Sequence, residues 1–200
     1  MSRTQKSKRV VAPAVALSAA LAASFAFAPG SAAVATQEGD SMMEKPGPEH
    51  NRLTAMAGTW DRTVKFRMDP AGEFMESRST ETIKSVCGGF FIQSETDGQA
   101  MGMTWEGHTT LGYDTHKKKY VGTMMDNFGP YMLVMEGDYD AKTKTLTLWS
   151  QMFEPMSKKD VKLKLTIEEK SADETVSKMY MPGRDGKEFT IMEATAKRRK

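Results

Sequence analysis

The sequence predicts an all-β domain of about ten antiparallel strands in up-and-down order, closed into a barrel and preceded by one short helix. Three observations carry that prediction. Apolar and polar residues alternate with a period of two through most of the chain after Gly58. Turn-forming clusters interrupt the alternation at short, regular intervals. No helical stretch falls between strands, as the crossovers of a parallel sheet would require. A meander of strands with one apolar face each is closed most simply as a barrel, which also removes exposed edges. A two-sheet sandwich is the alternative architecture.

Residues 1–35 read as an export signal. The basic, acid-free SRTQKSKRV precedes the alanine-rich VVAPAVALSAALAASFAFA, and Ala33-Val34-Ala35 offers small residues for cleavage before Thr36. The expected destination is therefore the periplasm or the exterior. Residues 36–47, TQEGDSMMEKPG, are polar and aperiodic, as a flexible lead-in would be. Residues 48–200 form one domain by length.

A helix is predicted from about Pro48 to Ala57. Pro48 suits the first turn, Leu53, Met56 and Ala57 share a face, and Gly58 can stop it. In the first strand Trp60, Val64, Phe66 and Met68 alternate with Asp61, Thr63, Lys65 and Arg67, and Asp69-Pro70-Ala71-Gly72 turns the chain. Further strands are expected at about 75–86, 89–97, 101–113, 119–127, 131–139, 145–153, 161–169, 175–181 and 188–196. Links such as Asp97-Gly98, Asn127-Phe128-Gly129-Pro130, Asp140-Ala141-Lys142-Thr143 and Pro182-Gly183-Arg184-Asp185-Gly186 separate them.

One stretch can be read to the level of register. In TWEGHTTLGYDTHKKKYVGTMMD, residues 104–126, pairing Tyr113 with Tyr120 across the lysine-rich tip sets Leu111 opposite Gly122, Thr109 opposite Met124 and Gly107 opposite Asp126, all on one face. Asp114 can accept hydrogen bonds from nearby amides and shape the turn. The same logic pairs Tyr139 with Leu146, Gly137 with Leu148 and Met135 with Ser150. Asp126 is the unusual member, a carboxylate on the face of Tyr120 and Met124. It either caps the loop 127–130 at a strand end or anchors a ligand in a mostly apolar pocket.

Composition excludes several classes. Beyond the leader no apolar run approaches the roughly 20 residues needed to span a bilayer. The formal net charge of +2 shrinks once the basic leader is removed, and nothing points to nucleic acid. Cys87 is the single cysteine, so no internal disulfide is available; beside Gly88-Gly89 it is expected as a small buried residue. Lys197-Arg198-Arg199-Lys200 is expected as a solvated end.

Gly58-Thr59-Trp60 after a short helix, followed in mid-chain by Gly112-Tyr113-Asp114, Tyr120-Val121-Gly122-Thr123 and Asp126, resembles family 1579 of the domains of unknown function, over about His50 to Ala196. Similar proteins usually carry Trp at the position of Met124 and Ser at that of Asn127, so the chain departs there. The resemblance implies a calycin-like barrel related in shape to lipocalins and small haem-binding barrels, with no activity to carry over.

Function is weighed among four classes. The favoured one is a binding module for a small apolar or amphipathic molecule, with Trp60, Tyr113, Tyr120, Met124, Asp126 and Met135 lining or gating the site. Methionine supports it, since Met101, Met103, Met124, Met125, Met132, Met135, Met152, Met179, Met181 and Met192 all fall in predicted strands and can line a tolerant pocket or fill a core. A soft-metal site is disfavoured because sequence neighbours such as Met124 and Met125 point to opposite faces. An enzyme would draw on Glu106, His108, Asp114, His116 and Asp126, yet the parity of His108 turns it outward and no triad order, phosphate loop or zinc cluster accompanies them. No cofactor is implied, and a haem would need an inward His in the strands from Lys144 onward, where the sequence has none. A structural or interaction protein of the cell envelope with a filled barrel is the main alternative.

Overall fold

The computed structural model describes residues 43–100, 102–154 and 158–200. The expected export signal, the first part of the lead-in and Met101 lie outside the described residues. Helix α1 (Pro48–Thr54) is followed by β1 (Gly58–Phe66), β2 (Met75–Val86), a single 3-10 turn (Cys87–Gly89), β3 (Phe91–Ala100), β4 (Met103–Asp114) and β5 (Lys119–Asp126). The remaining strands are β6 (Met132–Asp140), β7 (Thr145–Glu154), β8 (Lys159–Ser171), β9 (Glu174–Pro182) and β10 (Glu188–Arg198). Each pairs antiparallel with its sequence neighbours, and β10 pairs with β1 to close the barrel. The closure leaves no strand of this sheet with an unpaired edge.

The hairpin registers follow the alternation. Tyr113 pairs with Tyr120, Leu111 with Gly122, Thr109 with Met124 and Gly107 with Asp126. Tyr139 pairs with Leu146 and Gly137 with Leu148; the β6–β7 ladder stops at Glu136 and Trp149, one step short of Met135 and Ser150. The two tight links share one chemistry. Asp114 Oδ1 accepts from Lys117 N at 2.8 Å and Asp140 Oδ1 from Lys142 N at 2.8 Å. In each link a lysine just before the return strand, Lys118 or Lys144, takes the left-handed conformation, with φ of 55° and 51°.

Antiparallel order gathers alternate links at one end of the barrel. Links 115–118, 141–144 and 172–173 lie at the end where α1 packs, and links 67–74, 127–131 and 183–187 at the other. Leu53 of α1 is 1% exposed and joins the core, which at the usual value of side-chain burial contributes about 2 kcal/mol. His50 pins the same helix: Gly47 N donates to its Nδ1 at 3.0 Å, and its Nε2 meets the Tyr113 carbonyl oxygen at 3.1 Å.

Four sequence expectations need correction. The helix ends at Thr54 rather than Ala57, because Met56 N and Ala57 N bond the carbonyls of Leu53 and Thr54 in tight turns that lead into Gly58. Gly58 has φ 136°, and a Cβ there would lie 2.7 Å from Arg198 Nη1, so only glycine fits the corner. Met68 lies beyond the end of β1 and is exposed. Cys87 is exposed, since it opens the 3-10 turn that reverses the chain at the barrel end.

The basic C-terminal residues also do more than meet solvent. Arg198 lies 4.3 Å above the Trp60 ring, donates through Nη2 to the Ala55 carbonyl at 2.9 Å and pairs with Asp173 at 3.1 Å. Arg199 pairs with Asp61 across the closing β1–β10 seam.

Candidate functional site

Because side chains alternate, one parity class of each strand turns inward. On β1 that class is Trp60, Arg62 and Val64; on β2 it includes Glu81 and Ile83; on β3 it is Ile92, Ser94 and Thr96. Together with Trp105, Thr109 and Met124 these residues surround an internal cavity of about 100 Å³. Its walls are largely apolar, with Ile83, Ile92, Leu111, Leu165 and Met179 among them.

One side of the cavity is polar. Arg62 and Glu81 are two residues out of register across the β1–β2 ladder, a diagonal that brings Arg62 Nη1 to 3.5 Å from Glu81 Oε2. Their side chains are 10% and 20% exposed. Glu81 sits directly opposite Thr96 on β3, and Arg62 Nη1 donates to Thr96 Oγ1 at 3.5 Å. Ser94 and Thr175 add buried hydroxyls to the same lining. An ion pair held away from water gives up its hydration, so its place in the interior is set by the attraction of the two charges and the neighbouring hydroxyl. The Trp105 indole lies across Gly107, where a Cβ would sit 3.0 Å from Cζ2; the glycine makes room for the ring.

Of the six sequence-derived site residues, Met124 is the one that lines this cavity; Trp60, Tyr113, Tyr120, Asp126 and Met135 are not among its lining residues. Trp60 is buried at the helix end, donating from Nε1 to the Met56 carbonyl at 2.9 Å under the Arg198 guanidinium. Tyr113 and Tyr120 meet edge to face with ring centres 5.1 Å apart, and the His50 ring stands 5.8 Å from that of Tyr113. Burial pushes the Tyr120 phenol above its ordinary range, while the Arg52 guanidinium acts in the opposite sense. Met135 is 2% exposed in the core. Asp126 ends β5, and its Oδ1 accepts from Phe128 N at 3.0 Å, shaping the loop toward β6.

The catalytic candidates do not converge. Glu106 and His108 pair on the exposed surface at 3.1 Å. Asp114 and His116 belong to the β4–β5 link at the helix end, and Asp126 stands at the opposite end of β5.

Arg62, Glu81, Thr96 and Trp105 are the residues that sequence reasoning missed. The signal was present in parity. Arg62 stands between Trp60 and Val64, both inward, and Glu81 stands two before the inward Ile83. A charged residue in an apolar parity class is the mark of a buried polar group.

Comparisons with known proteins bear on the fold. The family model described as "Protein of unknown function (DUF1579)" matches residues 45–198. The crystal structure of Rv2717c from M. tuberculosis is similar with a TM-score of 0.58 at 14% identity, covering 77% of this chain and 99% of that one. A redesigned beta barrel is similar with a TM-score of 0.42 at 9% identity, over 78% of this chain and 100% of that one. The first likeness concerns the barrel architecture alone, and the second carries no argument. A comparison with curated proteins finds no match.

Proposed function

Since this chain belongs to the DUF1579 family, whose description assigns no activity, we propose from the geometry of its barrel that it is a binding protein that holds a small apolar or amphipathic molecule inside. The observation that carries the reading is the internal cavity of about 100 Å³, apolar on most sides and polar at the Arg62–Glu81 pair. Few, well-placed polar groups in an apolar enclosure are what orients a ligand. We propose further that the protein is exported, with cleavage before Thr36, on the strength of the basic and alanine-rich leader. Sequencing the N-terminus of the secreted or periplasmic form tests that part directly.

Native mass spectrometry of protein beginning at Thr36 and purified without detergent tests binding, followed by thermal melts against a lipid and metabolite panel. A bound mass or a ligand-induced rise in Tm that Met124→Trp removes by filling the cavity supports the reading. Asp126→Ala, which changes a loop contact and no cavity wall, serves as the control. A clean apo mass and no shift across the panel would sink it.

One observation favours a second reading, an interaction protein acting through its outer surface. Val134, Met132 and Trp149 are 68%, 56% and 49% exposed and neighbour one another on the outside of β6 and β7. A contiguous exposed apolar strip is a common mark of a protein contact.

A further inference from the structure

No strand of the barrel is unpaired along a whole edge, but β6 and β7 are bonded along only part of their length. Their ladder runs from the Asp140–Thr145 pair to the Glu136–Trp149 pair and ends there. Beyond that point β6 stays paired to β5 as far as Met132, and β7 to β8 as far as Glu154. Residues 132–135 and 150–153 therefore flank an open stretch of wall, toward the end of the barrel away from α1. At its outer limit the Tyr131 and Phe153 rings meet with centres 6.3 Å apart. The open stretch is roughly 13 Å long, at about 3.3 Å per residue.

An antiparallel ladder uses the N–H and C=O groups of alternate residues on each strand. In the open stretch those groups make no ladder pair with the opposite strand among the described residues. Backbone groups that a ladder leaves free bond to water or to another strand. Protected edges carry charges, proline or a covering loop. Among the described residues this one carries exposed apolar side chains instead, Met132, Val134 and Trp149. With Ser150, Gln151 and Lys162 they line a groove of about 490 Å³. Ser150 shares the parity of the buried Leu146 and Leu148, so the groove reaches into the wall rather than lying on it. Lys162 is the one charge in the lining and makes no ion pair with a described residue.

These features select the class of occupant. A row of free N–H and C=O groups matches the main chain of an extended polypeptide, and a lipid surface offers no such repeat. The apolar strip suits side chains at every second position of that segment. Lys162 favours a carboxylate beside them. Resting on the reading of the outer surface as a protein contact, we infer that the β6–β7 seam binds an extended segment of a partner protein by strand addition. Alternate apolar side chains of the segment lie on Met132, Val134 and Trp149, and an acidic one points toward Lys162.

Synthetic peptides and amide exchange test this. The parent probe is acetyl-Thr-Val-Thr-Val-Thr-Val-Asp-Glu-amide. Two companions are N-methylated at every second residue, one in each phase, which keeps the side chains and removes main-chain donors. In the free protein, amides within 132–135 and 150–153 are expected to alternate between slow exchange and exchange at least about a hundredfold faster. The fast ones should slow at least about tenfold when the parent peptide binds. One N-methylated phase or both should bind at least roughly tenfold more weakly than the parent. Val134→Lys and Lys162→Glu change exposed or groove-lining side chains, and thermal melts confirm that each folds. Each should weaken the parent peptide roughly tenfold.

Uniformly slow exchange through both segments would overturn the inference, as would either variant binding the parent peptide as tightly as the wild type does. Both N-methylated phases binding like the parent would overturn strand addition and leave an outer contact surface in place. Silence from every peptide would overturn it as well, and if the protein also sediments as a monomer at every concentration, the contact reading falls with it.

Discussion

Breaking the Arg62–Glu81 pair from one side should cost far more than removing it whole. The charges are 3.5 Å apart, which at an effective dielectric near 20 is a gross attraction of about 5 kcal/mol. Most of that is offset by the hydration both groups lose, so replacement of the pair by apolar side chains of similar size should change stability by about 1 kcal/mol or less. A single change strands the partner. Arg62→Met leaves the Glu81 carboxylate, 20% exposed, without its cation beside a largely apolar cavity, and Glu81→Leu leaves the guanidinium; each should cost about 3 kcal/mol, the lower end for stranded buried charges because the cavity gives some room to relax. For a domain of this size that is a fall in Tm of roughly 6–12 °C. Urea unfolding followed by tryptophan fluorescence, over the wild type, both single variants and Arg62→Met/Glu81→Leu, measures the interaction as a double-mutant cycle. We expect a coupling of about 5 kcal/mol, with the double variant near the wild type. Losses that simply add would show that the two charges are separately hydrated, and the picture of an enclosed polar wall would fail with them.

Three further outcomes follow from particular contacts. Gly137→Ala should lose about 3 kcal/mol in the same unfolding assay, because a Cβ there would stand 1.8 Å from the Thr147 carbonyl oxygen and only backbone can move aside. His50→Leu strips the partners from Gly47 N and the Tyr113 carbonyl; a loss of about 2 kcal/mol is expected, with raised amide exchange confined first to α1. Asp140 carries a pH signature. The backbone N–H of Lys142, and then the Thr143 hydroxyl, hold its carboxyl below the usual range. A folded value below the unfolded one means stabilisation that is full above about pH 4 and lost as pH falls through the folded value. Thermal melts between about pH 5 and pH 2 should therefore fall less steeply for Asp140→Asn than for the wild type.

Much of the barrel was legible because its signals are local. Tyr113 and Tyr120 face each other since the link between them holds Asp114 at one end and Lys118 in a left-handed turn at the other, and both features lie within the hairpin. Met124 could be placed on the inner face by counting outward from that turn. The polar wall is less legible: alternation places Arg62 on the face of Trp60 and Val64, but its partners Glu81 and Thr96 belong to other strands. Cys87 and the end of α1 differ from the sequence expectation for another reason. Both lie in irregular backbone, with positive φ at Cys87, Gly88 and Gly89 in one case and at Gly58 just beyond the helix in the other, where no periodicity speaks.

The division between the two sources of information follows the range of the forces involved. Alternation, turn chemistry and chain length are short-range properties, and by themselves they determined an antiparallel meander, its strand limits to within a few residues and its hairpin registers. The meeting of Arg62, Glu81 and Thr96 depends on how β1, β2 and β3 are staggered against one another, and the closure of β10 on β1 depends on the whole circuit of strands. The same holds for Arg198 reaching over Trp60 from the far end of the chain. Those are long-range contacts, specified by the summed packing of the barrel interior rather than by any segment of sequence, and for that reason only the tertiary structure decided that the interior holds a cavity with one polar wall.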